Sequence, residues 1–338
     1  MARLLESELP VVAAPMAGGP TTPALAAAVA GAGGFPFLAG GYLSPETFAA
    51  LVAEAHPLGG FGVNLFLPQD RPVDRVAFRR YAERLAPEAA ALGVTLDPVP
   101  VEDDDAWPAK LELLLADPVP VVSTTFGLPE RTAVRALQRV GTAVLASVTT
   151  PAEAAAADEL GVDGLVVQGV EAGGHSARFD PGAVTPAISL PDLVRAVRTT
   201  TGLPVIAGGG VTGPAGVRDL IAAGAETVAV GTLLLRCDES GTSATHRDAL
   251  ADPAFTETVI THCFTGRPAR ALRNDFVDRH HPAAPYGYPA LHHLTRDLRR
   301  AAARAGDPQR LHLWAGTGFR HARSGPAAEV VRALAAGL

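Results

Sequence analysis

Short apolar runs alternate with alanine-rich helical stretches along most of the chain. Eight of these runs have the length and the β-branched or aromatic content of buried strands: Val11–Ala14, Phe35–Ala39, Phe61–Leu65, Val119–Thr125, Thr142–Val148, Gly164–Gln168, Pro204–Ala207 and Thr227–Gly231. Alternation of strands and helices predicts parallel strands joined by crossover helices. Because there are eight strands, the pattern predicts an α/β fold, a (β/α)8 TIM barrel.

The pattern changes after Leu235, where the sequence becomes rich in arginine and histidine and contains Pro-Tyr-Gly-Tyr-Pro turns. We expect residues 236–324 to form a smaller, mainly helical C-terminal lobe over the barrel mouth, acting as a lid. The amphipathic segment Ala327–Leu338 is expected to return to the barrel as its last helix. On this interpretation the barrel comprises residues 1–235 and is completed by residues 325–338.

Charge and composition argue against several classes of partner. The formal net charge is −7 and no dense run of Lys or Arg occurs, which disfavours binding to nucleic acid or anionic membranes. Met1–Pro10 lacks the basic start and apolar stretch of a secretory signal. Leu25–Gly41 is interrupted by glycines and by Pro36, which disfavours a membrane-spanning helix. We therefore expect a cytoplasmic protein; no sequence feature defines its oligomeric state.

Few residues are available for thiol, lysine or metal chemistry. Cys237 and Cys263 are too few and too isolated for a disulfide framework or a thiolate metal site, so we expect buried thiols and no metal. Lys110 is the only lysine among 28 basic residues. The acidic run Asp97–Asp105 is expected to be a solvated loop, since no histidine accompanies it.

Glycines follow the last two predicted strands. Gly208, Gly209 and Gly210 come after the seventh, and Gly231-Thr232 ends the eighth. Barrel enzymes carry their active sites at the C-terminal strand ends, and the loops after strands seven and eight often bind phosphate through exposed backbone amides. These residues therefore predict a phosphate site, with two tight turns as the alternative.

The same glycines also permit a second interpretation. Gly208, Gly210 and Gly213 satisfy the G-x-G-x-x-G pattern of dinucleotide-binding folds, with Glu226 downstream. That pattern normally opens the first strand–helix unit of its domain. Here six strands precede it and one follows, which favours the barrel.

A histidine follows the sixth predicted strand, in the stretch Gln168-Gly169-Val170-Glu171-Ala172-Gly173-Gly174-His175. An imidazole titrates near neutral pH and can act as base, acid or anion partner. Because Gly173 and Gly174 let the loop fold closely over a ligand, we predict that His175 is catalytic rather than structural or solvent-facing. The Gln168 amide could bond the edge of a bound ring, or be a satisfied polar group in the barrel.

Two further residues at the strand ends are candidates for ligand contact. The loop after the first strand, Ala14-Pro15-Met16-Ala17-Gly18-Gly19, places a flexible thioether and bare backbone at the mouth, although Met16 could equally fill the core. Asn64 interrupts an apolar strand. A buried amide needs hydrogen-bond partners, and a bound heterocycle would supply them.

Together these motifs resemble the class I bacterial nitronate monooxygenases. The resemblance rests on Ala14–Gly19, Phe61-Gly62-Val63-Asn64-Leu65-Phe66, the Glu-Ala-Gly-Gly-His stretch ending at His175, Gly208–Gly210 and Gly231-Thr232. It continues through Thr265-Gly266-Arg267-Pro268-Ala269-Arg270 and Trp314-Ala315-Gly316. It thus spans nearly the whole chain in order, and the stretch ending at His175 is its most diagnostic part.

The resemblance implies an FMN-dependent oxidation of a nitronate or nitroalkane by O2, without NAD(P)H. The implied FMN contacts are Pro15, Met16, Asn64, Gln168, Gly173, Gly174, Gly208, Gly209, Gly210, Gly231 and Thr232, with the phosphate on Gly209, Gly210, Gly231 and Thr232. His175 would face the substrate as a donor to the anion. Tyr286, Tyr288 and His292 of the lobe would contact the substrate.

The chain departs from the family pattern in two places. Members carry a lysine from the lobe near the substrate, and this chain has none there. A substrate carboxylate, as in propionate 3-nitronate, would then need Arg296, His292 or His293. The family's Trp-x-Gly-Gln ending is here Trp314-Ala315-Gly316-Thr317.

Three alternatives compete with this interpretation, and the second of them is disfavoured by the sequence. One is an NAD(P)H-dependent flavoenzyme on the same barrel, of the enoyl-acyl-carrier-protein or quinone reductase type. A second is a barrel similar to IMP dehydrogenase, which would require a nucleophilic cysteine that Gly169–Arg178 lacks. The third is a flavin-binding protein without turnover.

Overall fold

The computed structural model describes residues 4–69, 72–183 and 188–338, and it contains a closed barrel of eight parallel strands. The barrel strands are β1 (Val11–Ala13), β2 (Phe35–Ala39), β3 (Gly62–Phe66), β4 (Val121–Thr125), β5 (Ala143–Val148), β6 (Gly164–Gln168), β8 (Val205–Gly208) and β9 (Thr227–Val230). Strand β9 pairs with β1 and closes the ring. The predicted TIM barrel is confirmed, with each strand within a few residues of its expected position.

Helices lie between the barrel strands and also follow them in the chain. They are α1 (Pro23–Gly31), α2 (Pro45–Ala55), α3 (Arg75–Ala90), α4 (Trp107–Ala116), α5 (Arg131–Arg139), α6 (Pro151–Leu160), α7 (Leu190–Thr200), α8 (Pro214–Ala222), α9 (Ala244–Ala251), α10 (Asp275–His280), α11 (Ala290–Arg304) and α12 (Ala327–Leu334). Thr22, Ser44 and Thr150 cap α1, α2 and α6, each followed by proline. None of the helices in the described ranges is both long and apolar enough to span a membrane.

The last helix completes the barrel. Helix α12 packs between α1 and α8, and its buried residues Ala327, Val331 and Leu334 join the main hydrophobic core. The C-terminal segment thus packs against barrel helices on both sides.

Alternation along the strands builds two apolar layers. On β1, Val11 and Ala13 face the surrounding helices, whereas Val12 joins an inner cluster with residues such as Phe37 and Ile206. Toward the C-terminal strand ends the inward positions become polar: Asn64, Ser123, Thr125, Ser147 and Gln168. The barrel is therefore packed at one end and polar at the other, where a cavity lies.

Residues after the barrel are not purely helical. Strands β10 (Thr258–Thr261) and β11 (Ala269–Leu272) form an antiparallel sheet with β7 (Gly174–His175), in the order β10-β11-β7. A second hydrophobic core packs α3 against α10 and α11, and it contains Cys263, while Cys237 lies in the main core. Both thiols are buried, as expected. The division into a barrel and a lid stays a prediction. The hydrophobic core of such a lid would include α3, which belongs to the connection between β3 and β4.

Candidate active site

A cavity of about 820 Å³ lies at the C-terminal ends of the barrel strands. Its walls combine the loops that follow the strands with residues from the segment after the barrel, among them Thr265, Tyr288, Arg299 and Trp314. The predicted residues that line it are Pro15, Met16, Asn64, Gln168, Gly173, Gly174, His175, Gly208, Gly209, Gly210, Gly231, Thr232, Tyr288 and His292. The structure thus brings together residues from several strand ends and from the segment after the barrel.

Tyr286 is the predicted site residue that lies elsewhere. Its ring stacks on His262 with centroids 4.5 Å apart, and the residue is 47% exposed. It is not among the residues that line the cavity. The expectation that Tyr286 contacts the substrate is therefore corrected, because the turn places Tyr288 in the cavity wall and turns Tyr286 to the surface.

His175 is held by main-chain pairing on one side and by Gln168 on the other. Strand β7 pairs with β11, so that His175 lies opposite Ala269. Gln168 donates from Nε2 to the carbonyl of His175 (3.0 Å) and accepts at Oε1 from the amide of Ala177 (2.8 Å). Gln168 therefore holds the histidine loop through hydrogen bonds within the protein, which is the second of the two roles expected from sequence. It also lines the cavity.

The His175 ring is electrically neutral at physiological pH. Burial lowers its pKa from the usual value of about 6.5 to about 3, and the cations of Arg267 and Arg299 contribute to that decrease. Its Nε2 lies 2.8 Å from Oγ1 of Thr265. Burial and the neighbouring arginines thus disfavour a cationic role for His175.

Aromatic side chains surround the imidazole. The ring centroids of Phe126 and Tyr288 each lie 5.8 Å from that of His175, and the centroid of Trp314 lies 5.4 Å away. Burial also raises the pKa of Tyr288 well above its usual range. These walls limit water around one face of the site, and the Tyr288 phenol stays protonated.

Asn64 finds its hydrogen-bond partners inside the barrel. Its Nδ2 donates to Oγ of Ser123 and Oγ1 of Thr125, both at 2.9 Å, and the Thr125 hydroxyl lies 3.1 Å from that of Ser147. A ligand is therefore not needed to satisfy the amide nitrogen. The remaining acceptor, Oδ1, bonds no described residue, and Asn64 lines the cavity.

Bare backbone forms the wall beside β8 and β9, which are neighbouring strands. Gly209 and Gly210 adopt positive φ values of +138° and +67°, a region that side chains disfavour. A Cβ atom on Gly210 would lie 2.8 Å from Cβ of Glu171. The amides of Gly209, Gly210 and Thr232 donate no hydrogen bond to another described residue. They are free to bind an anionic oxygen.

A buried arginine supplies positive charge to the cavity. Arg299 is 6% exposed and its hydrogen bonds go to neutral groups: Nε to Thr295, and a terminal nitrogen to the carbonyl (2.9 Å) and Nδ1 (3.2 Å) of His292. Its other terminal nitrogen lies 3.3 Å from Nε2 of His312. Among the described residues no carboxylate forms an ion pair with it. Burial lowers its pKa to about 10, so it stays protonated.

A buried polar atom without a partner lies beside this arginine. His312, whose Nε2 lies 3.3 Å from Arg299, has an Nδ1 that is buried and forms no hydrogen bond with described residues. The pKa values of His292 and His312 lie well below the usual range because of burial and the Arg299 charge. Unsatisfied buried atoms of this kind indicate a site that a polar ligand or water completes.

The acidic loop before α4 is part of the cavity wall rather than only a solvated loop. Asp105 forms a 2.9 Å ion pair with Lys110, which is 1% exposed, and accepts from the amide of Tyr42 (2.7 Å). Asp103 bonds Nε2 of His293. The run is largely exposed, as expected of a solvated loop, but its end is anchored, because Asp105 pairs with Lys110 and Asp103 bonds His293 of helix α11.

Comparison with known proteins identifies the family. The sequence model of the family described as "Nitronate monooxygenase" matches residues 2–337. The chain belongs to this family. A nitronate monooxygenase of Pseudomonas aeruginosa is 39% identical, over 98% of this chain and 97% of that protein. The crystal structure of nitroalkane oxidase from Streptomyces ansochromogenes is 45% identical, with a TM-score of 0.93 over 98% and 96% of the two chains.

Membership defines the class of protein. Flavin-dependent oxidation of nitronates is the known activity of nitronate monooxygenases, so this chain is a flavoenzyme and an oxidoreductase. FabK from Thermotoga maritima has a TM-score of 0.75, covering 98% of this chain and 93% of its own, at 24% identity. That likeness shows a shared fold.

Sequence reasoning missed two residues of the site. Thr265 lies within a motif that carries the resemblance, but nothing in the motif indicates a role for its hydroxyl. Arg299 lies seven residues after His292 on an amphipathic helix, which places both on one face. That spacing is a signal that could have found Arg299.

Proposed function

We propose that this protein binds FMN in the strand-end cavity and oxidises small nitronates with O2, yielding a carbonyl compound and nitrite or nitrate. The observation that carries the proposal is the meeting of three features in one 820 Å³ cavity: bare backbone at β8 and β9, the neutral His175, and the buried cation Arg299. The family match supplies the reaction class.

The strand ends fit the parts of FMN. The free amides at Gly209, Gly210 and Thr232 suit its phosphate, and the Thr232 hydroxyl, which accepts from Gly316 (2.9 Å), keeps its proton for an anion. Polar inward groups such as Asn64 Oδ1 suit the ring edge. When bound, the flavin supplies the redox chemistry that links nitronate oxidation to O2.

The protein's own groups bind and orient the substrate. Arg299 attracts the nitronate anion without the competition of a neighbouring carboxylate, and low local dielectric strengthens that attraction. His175 positions the reacting group from a rigid loop. The rings of Phe126, Tyr288 and Trp314 limit water at the same place.

The three candidate anchors for a substrate carboxylate differ in charge and in partners. His292 lines the cavity but is neutral, because burial and Arg299 lower its pKa. His293 bonds Asp103. Arg296 lines the cavity, has a side chain that is 46% exposed, and its Nε lies 3.6 Å from Oδ1 of Asp297. For a substrate such as propionate 3-nitronate we therefore propose Arg296 as the carboxylate anchor.

Oxygen-electrode assays test the proposal. The purified protein is expected to be yellow, to release FMN on denaturation, and to consume O2 with propionate 3-nitronate, ethyl nitronate and 2-propyl nitronate without NADH. His175→Ala should keep FMN and lose most turnover. Rapid bleaching by NADH under anaerobic conditions would instead support the reductase alternative, and a yellow protein without O2 uptake would support a binding protein.

A further inference from the structure

We propose that Thr265 is a positioning residue that holds His175 in the tautomer protonated on Nε2, so that unprotonated Nδ1 faces the substrate cavity. Thr265 lies 90 positions from His175 in sequence and its hydroxyl is 2.8 Å from Nε2. The inference concerns the site of the proposed function and rests on that function for its kinetic consequence only.

Hydrogen bonding around Thr265 favours one direction for its bond with His175. The hydroxyl donates to the carbonyl of Arg267 (3.3 Å) and accepts from the amide of Arg267 (3.4 Å). A hydroxyl has one proton and two acceptor lone pairs. With its proton on the Arg267 carbonyl and one lone pair on the Arg267 amide, the remaining lone pair faces Nε2. This arrangement favours the imidazole as the donor.

The hydroxyl has little freedom to reverse this arrangement. Thr265 is 1% exposed, and the turn it begins continues into β11, which pairs with the His175 strand. If Thr265 donated to His175 instead, the carbonyl of Arg267 would lose the hydroxyl proton that it accepts. A buried carbonyl without a donor is costly. The tautomer protonated on Nε2 thus gives a partner to Nε2, to the Thr265 hydroxyl, and to the amide and carbonyl of Arg267.

The charges around the His175 ring disfavour the imidazolium, so that only the two neutral tautomers compete. Arg267, over the Phe126 ring, and Arg299, on α11, both disfavour the imidazolium. The other titratable groups nearby, Tyr288, His292 and His312, are neutral because they are buried. His175 therefore carries a single ring proton, and its position decides which nitrogen can accept.

The opposite ring nitrogen has no protein partner. Nδ1 of His175 bonds no other described residue, and His175 lines the cavity. With Nε2 protonated, Nδ1 presents a lone pair. His175 then presents no proton to a nitronate at Nδ1, which revises the expectation that it donates to the anion and leaves that role to Arg299.

Nitrogen-15 NMR on the whole protein, labelled at histidine, tests the tautomer directly. The His175 signals are assigned by their loss in His175→Gln. We expect a protonated Nε2 and an unprotonated Nδ1 at neutral pH. The reverse assignment, or an imidazolium, overturns the proposal. This readout needs no turnover, so it stays decisive even if nitronates prove not to be substrates.

Substitutions of Thr265 distinguish a positioning role from a purely structural role. Thr265→Val removes the acceptor at nearly constant volume, and should give a mixture of His175 tautomers and about a tenfold lower kcat with nearly unchanged KM and FMN content. Thr265→Ser should restore both signals and rate. A Thr265→Val spectrum identical to that of the wild type would overturn the proposal.

A matched control lies nearby. Thr261 is also fully buried and its hydroxyl lies 3.2 Å from Nδ1 of His281, outside the cavity. Thr261→Val should change the His281 signals and leave those of His175 and kcat unchanged. Equal loss of kcat in Thr261→Val and Thr265→Val would show a general packing effect and overturn the positioning role.

Discussion

Gly173 and Gly316 lie so close that a Cβ atom on Gly173 would be 2.5 Å from the amide nitrogen of Gly316. The same amide donates to Oγ1 of Thr232 (2.9 Å), at the start of the β9 loop. One backbone contact therefore joins the histidine loop, the segment after the barrel and a proposed phosphate contact. The family motifs around these residues meet at this point.

Gly173→Ala should disrupt that contact. The methyl group would meet backbone on the opposite side, which cannot rotate away, so we expect a loss of about 1–3 kcal/mol of unfolding free energy and reduced FMN content. Denaturant unfolding and the flavin-to-protein absorbance ratio measure both. Gly202→Ala is the control, since nothing lies within 4 Å of its Cβ position. Equal stability of the two variants would contradict the prediction.

The barrel and most of the cavity wall were predictable because their signals are local. Apolar runs indicate the strands, and glycines at strand ends indicate close approach to a ligand. Since parallel strands end at one rim, these residues had to meet. This reasoning correctly placed His175 at the same rim as Gly209 and Gly231 without any knowledge of distant contacts.

The rest depended on contacts between distant segments. Thr265 meets His175 across 90 positions, and pairing of Asp105 with Lys110 depends on how a loop folds. Tyr286 and Tyr288 have the same side chain two positions apart, so composition could not tell which one enters the cavity. Only the conformation of the turn decides between them.

Arg299→Met should weaken substrate binding. Removing the buried cation takes away the charge that attracts a nitronate, so KM is expected to rise about 10- to 100-fold, as for loss of a charged hydrogen bond. The pKa of His292 should rise as well, since Arg299 is its main charged neighbour. Steady-state kinetics and histidine NMR titration measure the two effects.

Arg304→Met provides the comparison for that change. Arg304 ends the same helix and is exposed, outside the cavity lining. It should leave KM unchanged. A rise in KM for Arg304→Met equal to that for Arg299→Met would show that overall charge, rather than the buried guanidinium, governs binding.

Lys110→Met should be more damaging than removal of both partners of its ion pair. It leaves Asp105 buried without its cation, at an expected cost of about 3–5 kcal/mol. The double variant Lys110→Met with Asp105→Asn removes the unpaired carboxylate charge and keeps an acceptor for the Tyr42 amide. It should recover part of the lost unfolding free energy. Urea unfolding measures both variants. A double variant less stable than Lys110→Met would rule out this account.

Stability should decrease as the pH falls below about 6.5. In the folded protein burial lowers the pKa of His175 to about 3 and that of His246 to about 4, from a usual value of 6.5. The unfolded chain therefore binds more protons between these values, and the stabilisation present above pH 6.5 is lost as the pH falls toward 4. Each such group contributes a slope of about 1.4 kcal/mol per pH unit.

His246→Gln should make the slope shallower by that amount, whereas His321→Gln, at the exposed surface, should not. Urea unfolding from pH 8 to pH 5 measures the slopes, and equal slopes in all three proteins would refute the buried-histidine explanation.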